Sequence, residues 1–229
     1  MKLGIMQPYF LPHIGYWQLI FAVDKYVVYD DVNYIMRGWI NRNNLLVNNA
    51  KKLFTISVKN ASQNRLINEI EITDDFIKFR KTVEYNYSKA PYYESVIHLL
   101  DTIIAFPERN LSAFIANSIR EVSSYLDIHT EFVLSSSIKK DNSLKGRDKI
   151  IDICKLLGAS DYYNAIGGQG LYDKSEFITH NIELYFLATN ITPYKQFKND
   201  FVAGLSILDV LMFNGKETVR AMLKEFSLV

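Results

Sequence analysis

The sequence predicts an α/β fold with a mostly parallel sheet, and three observations carry that reading. Short apolar runs alternate with stretches of helical periodicity. The runs end at polar, Pro-containing or Gly-containing loops, and no internal repeat breaks the order. Buried strands alternating with helices imply a sheet covered on both faces. The expected architecture is a single domain over residues 1–229. It has a Rossmann-like, mostly parallel sheet of about five parallel strands, a small antiparallel ribbon and a helical insertion near residues 74–128.

Each element follows from local pattern. Met1 to Met6 is apolar apart from one Lys and reads as a buried strand, and Pro8 and Pro12 bar a helix directly after it. Apolar positions from Ile14 to Val23 recur at helical intervals, and Lys25 to Tyr29 is a Val- and Tyr-rich strand ending at Asp30 and Asp31. Lys52 to Lys59 and Asn68 to Thr73 alternate in polarity and predict the antiparallel ribbon. Between Asp74 and Leu126, helical periodicities broken at Ala90-Pro91 and Phe106-Pro107 predict three helices. Thr130 to Leu134 is a strand, Arg147 to Leu157 a helix closed by Gly158, Asp161 to Ile166 a strand and Ile182 to Leu187 the last buried strand. Ser206 to Phe213 and Lys216 to Phe226 are terminal helices separated by Asn214-Gly215.

Composition narrows the function. With 48% hydrophobic and 22% charged residues in 229, the chain supports its own core and is not disordered. Its single cysteine, Cys154, excludes an internal disulfide and metal sites with several cysteine ligands, which fits a reducing, cytoplasmic setting. A net charge of +1 offers no field to collect nucleic acid nonspecifically, so no DNA partner is expected. No apolar run reaches the roughly 18 residues of a membrane span, and no signal peptide is expected. Fifteen Tyr, fourteen Phe and two Trp make an aromatic share of 14%, which fits either a core or a stacking surface for sugars and bases. Phe21, Phe54, Phe114 and Phe132 fall on periodic apolar faces, whereas Tyr9, Phe10, Tyr16, Tyr34, Trp39, Tyr172 and Tyr194 fall in predicted loops at one sheet edge.

Ligands of such sheets sit at the carboxyl ends of the strands. After the first strand comes Gln7-Pro8-Tyr9-Phe10-Leu11-Pro12-His13-Ile14-Gly15-Tyr16, which opens a helix whose free N–H groups can receive an anion. The order of parts resembles the His-x-Gly-His phosphate loop of nucleotidylyltransferases and class I aminoacyl-tRNA synthetases, with Tyr16 in place of the second histidine. The same residues also suit a plain helix start, with His13 capping and Gly15 packing. After the second strand, Asp30 and Asp31 precede Asn33, Arg37, Trp39 and Arg42. Carboxylates there can bind a metal or act as a general base, the arginines can grip phosphate, and Trp39 can stack; ion pairs in a solvated turn are the plainer alternative.

Other loops carry weaker signals. Ser135-Ser136-Ser137-Ile138-Lys139-Lys140 reads foremost as a polar loop before a helix and secondarily as a phosphate-covering loop. Gly167, Gly168, Gln169 and Tyr172 follow a strand, where backbone amides could approach an anion or sugar hydroxyl, or simply turn. Tyr194 follows the last strand. Ser206 caps a helix, and Asp209, which has no capping role, is otherwise expected to be exposed. The histidines lack metal-ligand spacing, so no metal is expected, and mid-helix Cys154 reads as an inert buried thiol.

Gln-Pro-Tyr-Phe-Leu-Pro with the following Gly-Tyr, Asp-Asp with Arg-Gly-Trp-Ile-Asn-Arg-Asn, Asp152 to Ala159, and Leu205-Ser206-Ile207-Leu208-Asp209 with Asn214-Gly215 together resemble the WbqC-like family of bacterial surface-polysaccharide (O-antigen) gene clusters. The resemblance implies addition of a glycyl or similar aminoacyl group to the amine of a dTDP-type, nucleotide-linked amino-dideoxy sugar, with ATP or aminoacyl-tRNA activating the acyl group. By position, catalysis is expected at His13, Asp30 and Asp31. Substrate binding is expected at Gln7, Tyr9, Tyr16, Asn33, Arg37, Trp39, Arg42, Gly167, Gly168, Gln169, Tyr172 and Tyr194. Nucleotidyl transfer and noncatalytic binding of a sugar nucleotide stand as alternatives, and a homodimer is left open.

Overall fold

The computed structural model describes residues 1–198 and 200–229. Its first strand, β1 (Lys2–Met6), is followed by α1 (Ile14–Ala22) and β2 (Lys25–Val28). Leu3, Ile5 and Val27 point to one side of the sheet, and Tyr26 and Val28 to the other, so neighbouring positions supply two separate cores. The chain then leaves the sheet. The hairpin β3 (Arg42–Val47) and β4 (Ala50–Thr55), the short pair β5 (Val58–Lys59) and β6 (Glu71–Ile72), and three helices, α2 (Ile77–Tyr87), α3 (Tyr93–Ile104) and α4 (Leu111–Tyr125), intervene before β7 (Glu131–Leu134). After β7 come α5 (Gly146–Leu156), β8 (Asp161–Ala165), α6 (Lys174–Ile178), β9 (Glu183–Thr189), α7 (Ile207–Phe213), α8 (Lys216–Met222) and β10 (Phe226–Leu228).

The main sheet runs β10-β9-β8-β1-β2-β7, with β10 antiparallel and the other neighbours parallel. From β1 the chain builds outward through β2 and β7, then returns to the other side of β1 for β8 and β9. Strand order therefore reverses between β1 and β8, the position at whose carboxyl ends open α/β sheets hold their ligands. The α/β class, the mostly parallel sheet and the helices are as the sequence predicts. Two details differ. The ribbon is two ribbons, because Lys52 to Thr55 pairs backward with β3 and not forward with residues 68–73. The predicted last helix stops at Met222, and Phe226 to Leu228 pairs with β9 as a short edge strand.

One loop ties these parts together. Phe10, fully buried, lies 5.8–6.2 Å from the rings of Phe54, Phe76, Phe79 and Phe114, so the loop after β1 is anchored in the core of the insertion. Aromatic pairs of this kind add about 0.5–1.5 kcal/mol each beyond burial. Leu11 takes a left-handed backbone, φ 45°, unusual for a branched residue. Its carbonyl accepts from Asn43 Nδ2 at 2.7 Å and from Ser206 Oγ at 2.7 Å, which holds the loop in that strained shape. Ser206 N donates to Asn44 O, and Ile207 N to Pro12 O, which completes the clamp.

Candidate active site at the carboxyl edge of the sheet

Asp30 and Asp31 leave β2 beside the end of β7, and their environments differ. Asp30 is 1% exposed and fully engaged: Ser136 N donates to Oδ1 at 2.9 Å, while Ser136 Oγ at 2.8 Å and Ser112 Oγ at 3.0 Å donate to Oδ2. With Asn68 N on its carbonyl, Asp30 ties together the end of β2, the turn after β7, α4 and the 3-10 turn Ile67–Glu69. Asp31 instead meets cations. Lys140 Nζ lies 2.7 Å and Lys149 Nζ 3.1 Å from its Oδ2.

Both lysines are deeply buried, their side chains 1% and 8% exposed. Lys140 also donates to the Ser135 carbonyl, and Lys149 donates to the Asp31 carbonyl at 3.0 Å and covers the Tyr29 ring at 5.4 Å. Burial pushes the Asp31 pKa up, but Lys140, the Ser135 hydroxyl and Lys149 outweigh it and hold the carboxyl below its usual value. Asp31 Oδ1 and Ser135 Oγ are nonetheless buried without an aligned hydrogen-bond partner among the described residues. An unsatisfied buried carboxylate oxygen costs about 1–3 kcal/mol or more, and a ligand donor would recover it.

The glycine loop after β8 approaches the same side of the sheet. Tyr172 packs edge-on against Tyr162 at 6.2 Å and Phe177 at 5.8 Å, and belongs with Tyr29 to the core beneath α5 and α6. Burial raises the Tyr29 pKa, and the nearby Asp31 and Tyr172 raise it further. A Cβ at Gly168 would overlap the Asn164 amide, so glycine is required for that close approach. Gly167 and Gln169 stay exposed or half-exposed at the rim.

His13 stands apart from this cluster. It caps α1, on the opposite sheet face from α5, with Nδ1 accepting from Gly15 N at 3.1 Å. That bond leaves Nε2 to carry the ring proton in the neutral form, and Nε2 makes no hydrogen bond among the described residues. Crowding lowers the His13 pKa through desolvation, tempered by the ring's exposed edge. Its neighbours are Asn190, Ile191, Thr192 and Tyr194, and a Cβ at Gly15 would overlap Thr189 Oγ1. Capping and packing thus account for His13 and Gly15, while the free Nε2–H still offers one neutral donor.

The remaining predicted residues divide by exposure. Trp39 is 50% exposed, with Arg42 5.9 Å over its ring and Arg42 Nε donating to Gly38 O at 2.6 Å. Arg37, at φ 60°, and Asn33 are exposed in the same loop. Tyr16 is buried, its hydroxyl donating to Gln7 O at 2.9 Å, and Tyr9 lies 5.5 Å from its ring. Phe10 and Tyr34 are interior as well, which corrects the expectation that the loop aromatics form one ligand-facing surface. Tyr194 is committed elsewhere: its hydroxyl donates to Asp209 Oδ1 at 2.6 Å, as does Gln196 Nε2 at 2.6 Å, and Tyr87 donates to Oδ2 at 2.9 Å. Asp209 is not exposed but fully buried, and burial raises its pKa against the effect of those donors. Among the described residues no group of three or more His, Cys, Asp or Glu could hold a metal. Burial pushes the Cys154 thiol up to about 12, where it is unreactive.

Residues 7–221 match the model of the WbqC-like protein family. The chain belongs to this family. An uncharacterized protein of Mycobacterium tuberculosis is 28% identical over 221 residues, covering 94% of this chain and 95% of that protein. No solved structure matches. The family match spans every residue of the site, from Gln7 through Asp31 and Lys149 to the Ser206 clamp. Lys140 was noted in the sequence only within a polar loop, and Lys149 escaped the sequence reading although it leaves a trace: it falls four residues before Ile153 on the apolar face of α5, where a solvated lysine has no place.

Proposed function

We propose that this WbqC-like protein is a transferase that takes a nucleotide-linked amino sugar at the carboxyl edge of its sheet and acylates the sugar amine. The observation that supports the reading is Asp31, a carboxylate held between two buried lysines with Oδ1 buried and lacking an aligned hydrogen-bond partner among the described residues. A sugar amine or hydroxyl that moves the covering side chains aside satisfies that oxygen. The half-exposed Trp39 offers a stacking plate for the base, and Arg37 and Arg42 offer charge for the diphosphate.

In the reaction the neutral sugar amine bonds through nitrogen to the acyl carbonyl carbon, the acyl–oxygen bond to adenylate or RNA breaks with its electron pair on the departing oxygen, and one N–H proton is released; an amine that arrives as ammonium first gives its extra proton to water. Asp31, with its lowered pKa, is a weak base and serves to hold the amine; the proton leaves with the departing oxygen. His13 supplies a neutral Nε2–H donor and no acid. The choice of an amino sugar rests on the surface-polysaccharide setting that the sequence resemblance implies. Incubation with glycine, ATP and a nucleotide-linked 4-amino sugar should give a product heavier by one glycyl residue, lost in Asp31→Asn. If neither ATP nor charged tRNA yields that product while the sugar nucleotide still binds, the protein is a binding module and the transfer reaction is wrong.

A further inference from the structure

The net charge of +1 conceals a strong segregation. Where the β3–β4 turn meets α2 and the loop after β9, two open clefts of about 620 and 1140 Å³ adjoin and share Asn48, Tyr85 and Asn86. Lys52, Lys78 and Lys81 line the first, and Lys89, Lys195 and Lys198 the second. All six are exposed, and none forms an ion pair among the described residues. Asp75 and Glu84 are the acids lining the clefts, and Glu84 is already held by Arg80 at 2.6 Å.

We infer that this groove binds a single-stranded segment of RNA, independently of the transfer reaction proposed above. Small-molecule sites occupy roughly 300–1,000 Å³, and two adjoining clefts with cations along both exceed one nucleotide and match a run of phosphates. Unpaired lysines release counterions from such a run. Tyr85, 83% exposed at the shared wall, is a platform on which a base can stack, and the Asn48 and Asn86 amides beside it can meet base edges. A duplex hides its bases from such a platform, whereas Val47 and the 57%-exposed Ile77 give the first cleft some apolar surface, so an anionic lipid surface is the competitor that the test must separate from RNA.

The test is fluorescence anisotropy of a labelled, unstructured oligoribonucleotide of about 12 nucleotides, within the ~4–16 that one such groove covers. Saturable binding is expected at about 50 mM salt, weakening as salt rises with a log–log slope that falls by about 2 in Lys78→Gln/Lys81→Gln/Lys89→Gln, at ~0.7 per lost phosphate contact. Tyr85→Ala should weaken binding about tenfold through lost stacking. Lys155→Gln/Lys174→Gln, on exposed positions of α5 and α6, should bind as the unsubstituted protein does. The inference is overturned by three results: no saturable binding up to about 100 μM RNA at that salt, equal binding by the groove and control variants, or tighter, lysine-dependent binding to phosphatidylglycerol vesicles than to RNA.

Discussion

The Lys140 ammonium and the Asp31 carboxylate form a buried ion pair at 2.7 Å, and Lys149 completes it at 3.1 Å on the same oxygen. Both cations sit on one carboxylate oxygen, and the other is buried without an aligned hydrogen-bond partner among the described residues, with the Ser135 hydroxyl also helping to hold the charge. The cluster's energetic character follows from burial: removing the anion strands two desolvated ammonium groups.

Asp31→Ala should therefore destabilise the protein by about 3–5 kcal/mol in urea unfolding. Pairing it with Lys140→Met should recover part of that loss, and strictly additive costs would show that the pair is not coupled. The pH dependence has a definite sign. The folded pKa of Asp31 lies below its ordinary value of 3.8, so its contribution is complete above that value and is lost as pH falls through the folded pKa. The stability difference between the unsubstituted protein and Asp31→Asn should be constant at neutral pH and shrink below about pH 4.

Asp209 should show the opposite slope. Its folded pKa is raised, so the folded state holds the proton more tightly and stability falls as pH climbs from 3.8 toward the folded pKa. Asp209→Asn should remove that slope from the stability–pH curve. Asp209→Ala should cost about 3 kcal/mol, because the Tyr87 and Tyr194 hydroxyls and the Gln196 amide lose their acceptor.

His13→Asn separates capping from binding. Asparagine caps a helix as well as any residue, so stability should change by less than about 0.5 kcal/mol, against about 1 kcal/mol lost in His13→Ala. If His13 donates to a ligand, both variants should weaken sugar-nucleotide binding to the same degree. In an NMR titration the His13 ring should protonate below its ordinary 6.5.

Trp39 reports on the nucleotide. Trp17 is fully buried, so a ligand-dependent change in tryptophan emission should come from Trp39. Trp39→Leu should abolish the change and weaken binding about tenfold, as loss of one stacked base does. Full affinity in that variant would move the base elsewhere.

The α/β class and the order of its strands and helices were legible because they rest on local periodicity. Asp30 and Asp31 were legible as candidates because a carboxylate pair at a strand end is a local signal. Their division of labour was not: Ser112 is 82 residues from Asp30, and Lys149 is 118 from Asp31, so only the sheet order brings them together. Asp209 was misjudged for the same reason, since its Tyr87 partner lies 122 residues away. Tyr34 read as a loop aromatic because the sequence cannot reveal that its loop is packed inside, and Tyr16, which lies in α1, faces the core and not the edge of the sheet.

The clamp on Leu11 also sets a schedule for making the protein. Its carbonyl waits for Ser206, 195 residues later, and Gln18 of α1 waits for the carbonyls of Met222 and Glu225. A nascent chain emerging from the ribosome exposes Phe10, Leu11 and Trp17 long before those partners exist, and at about 5–20 residues per second that interval lasts roughly ten seconds or more. The first loop of the site is thus part-anchored early, by Asn43 and the rings from Phe54 to Phe114, and is closed only when Ser206 arrives. Chains interrupted before Ser206 should carry the aspartates and lysines yet lack a settled entrance, and should depend on chaperones for solubility.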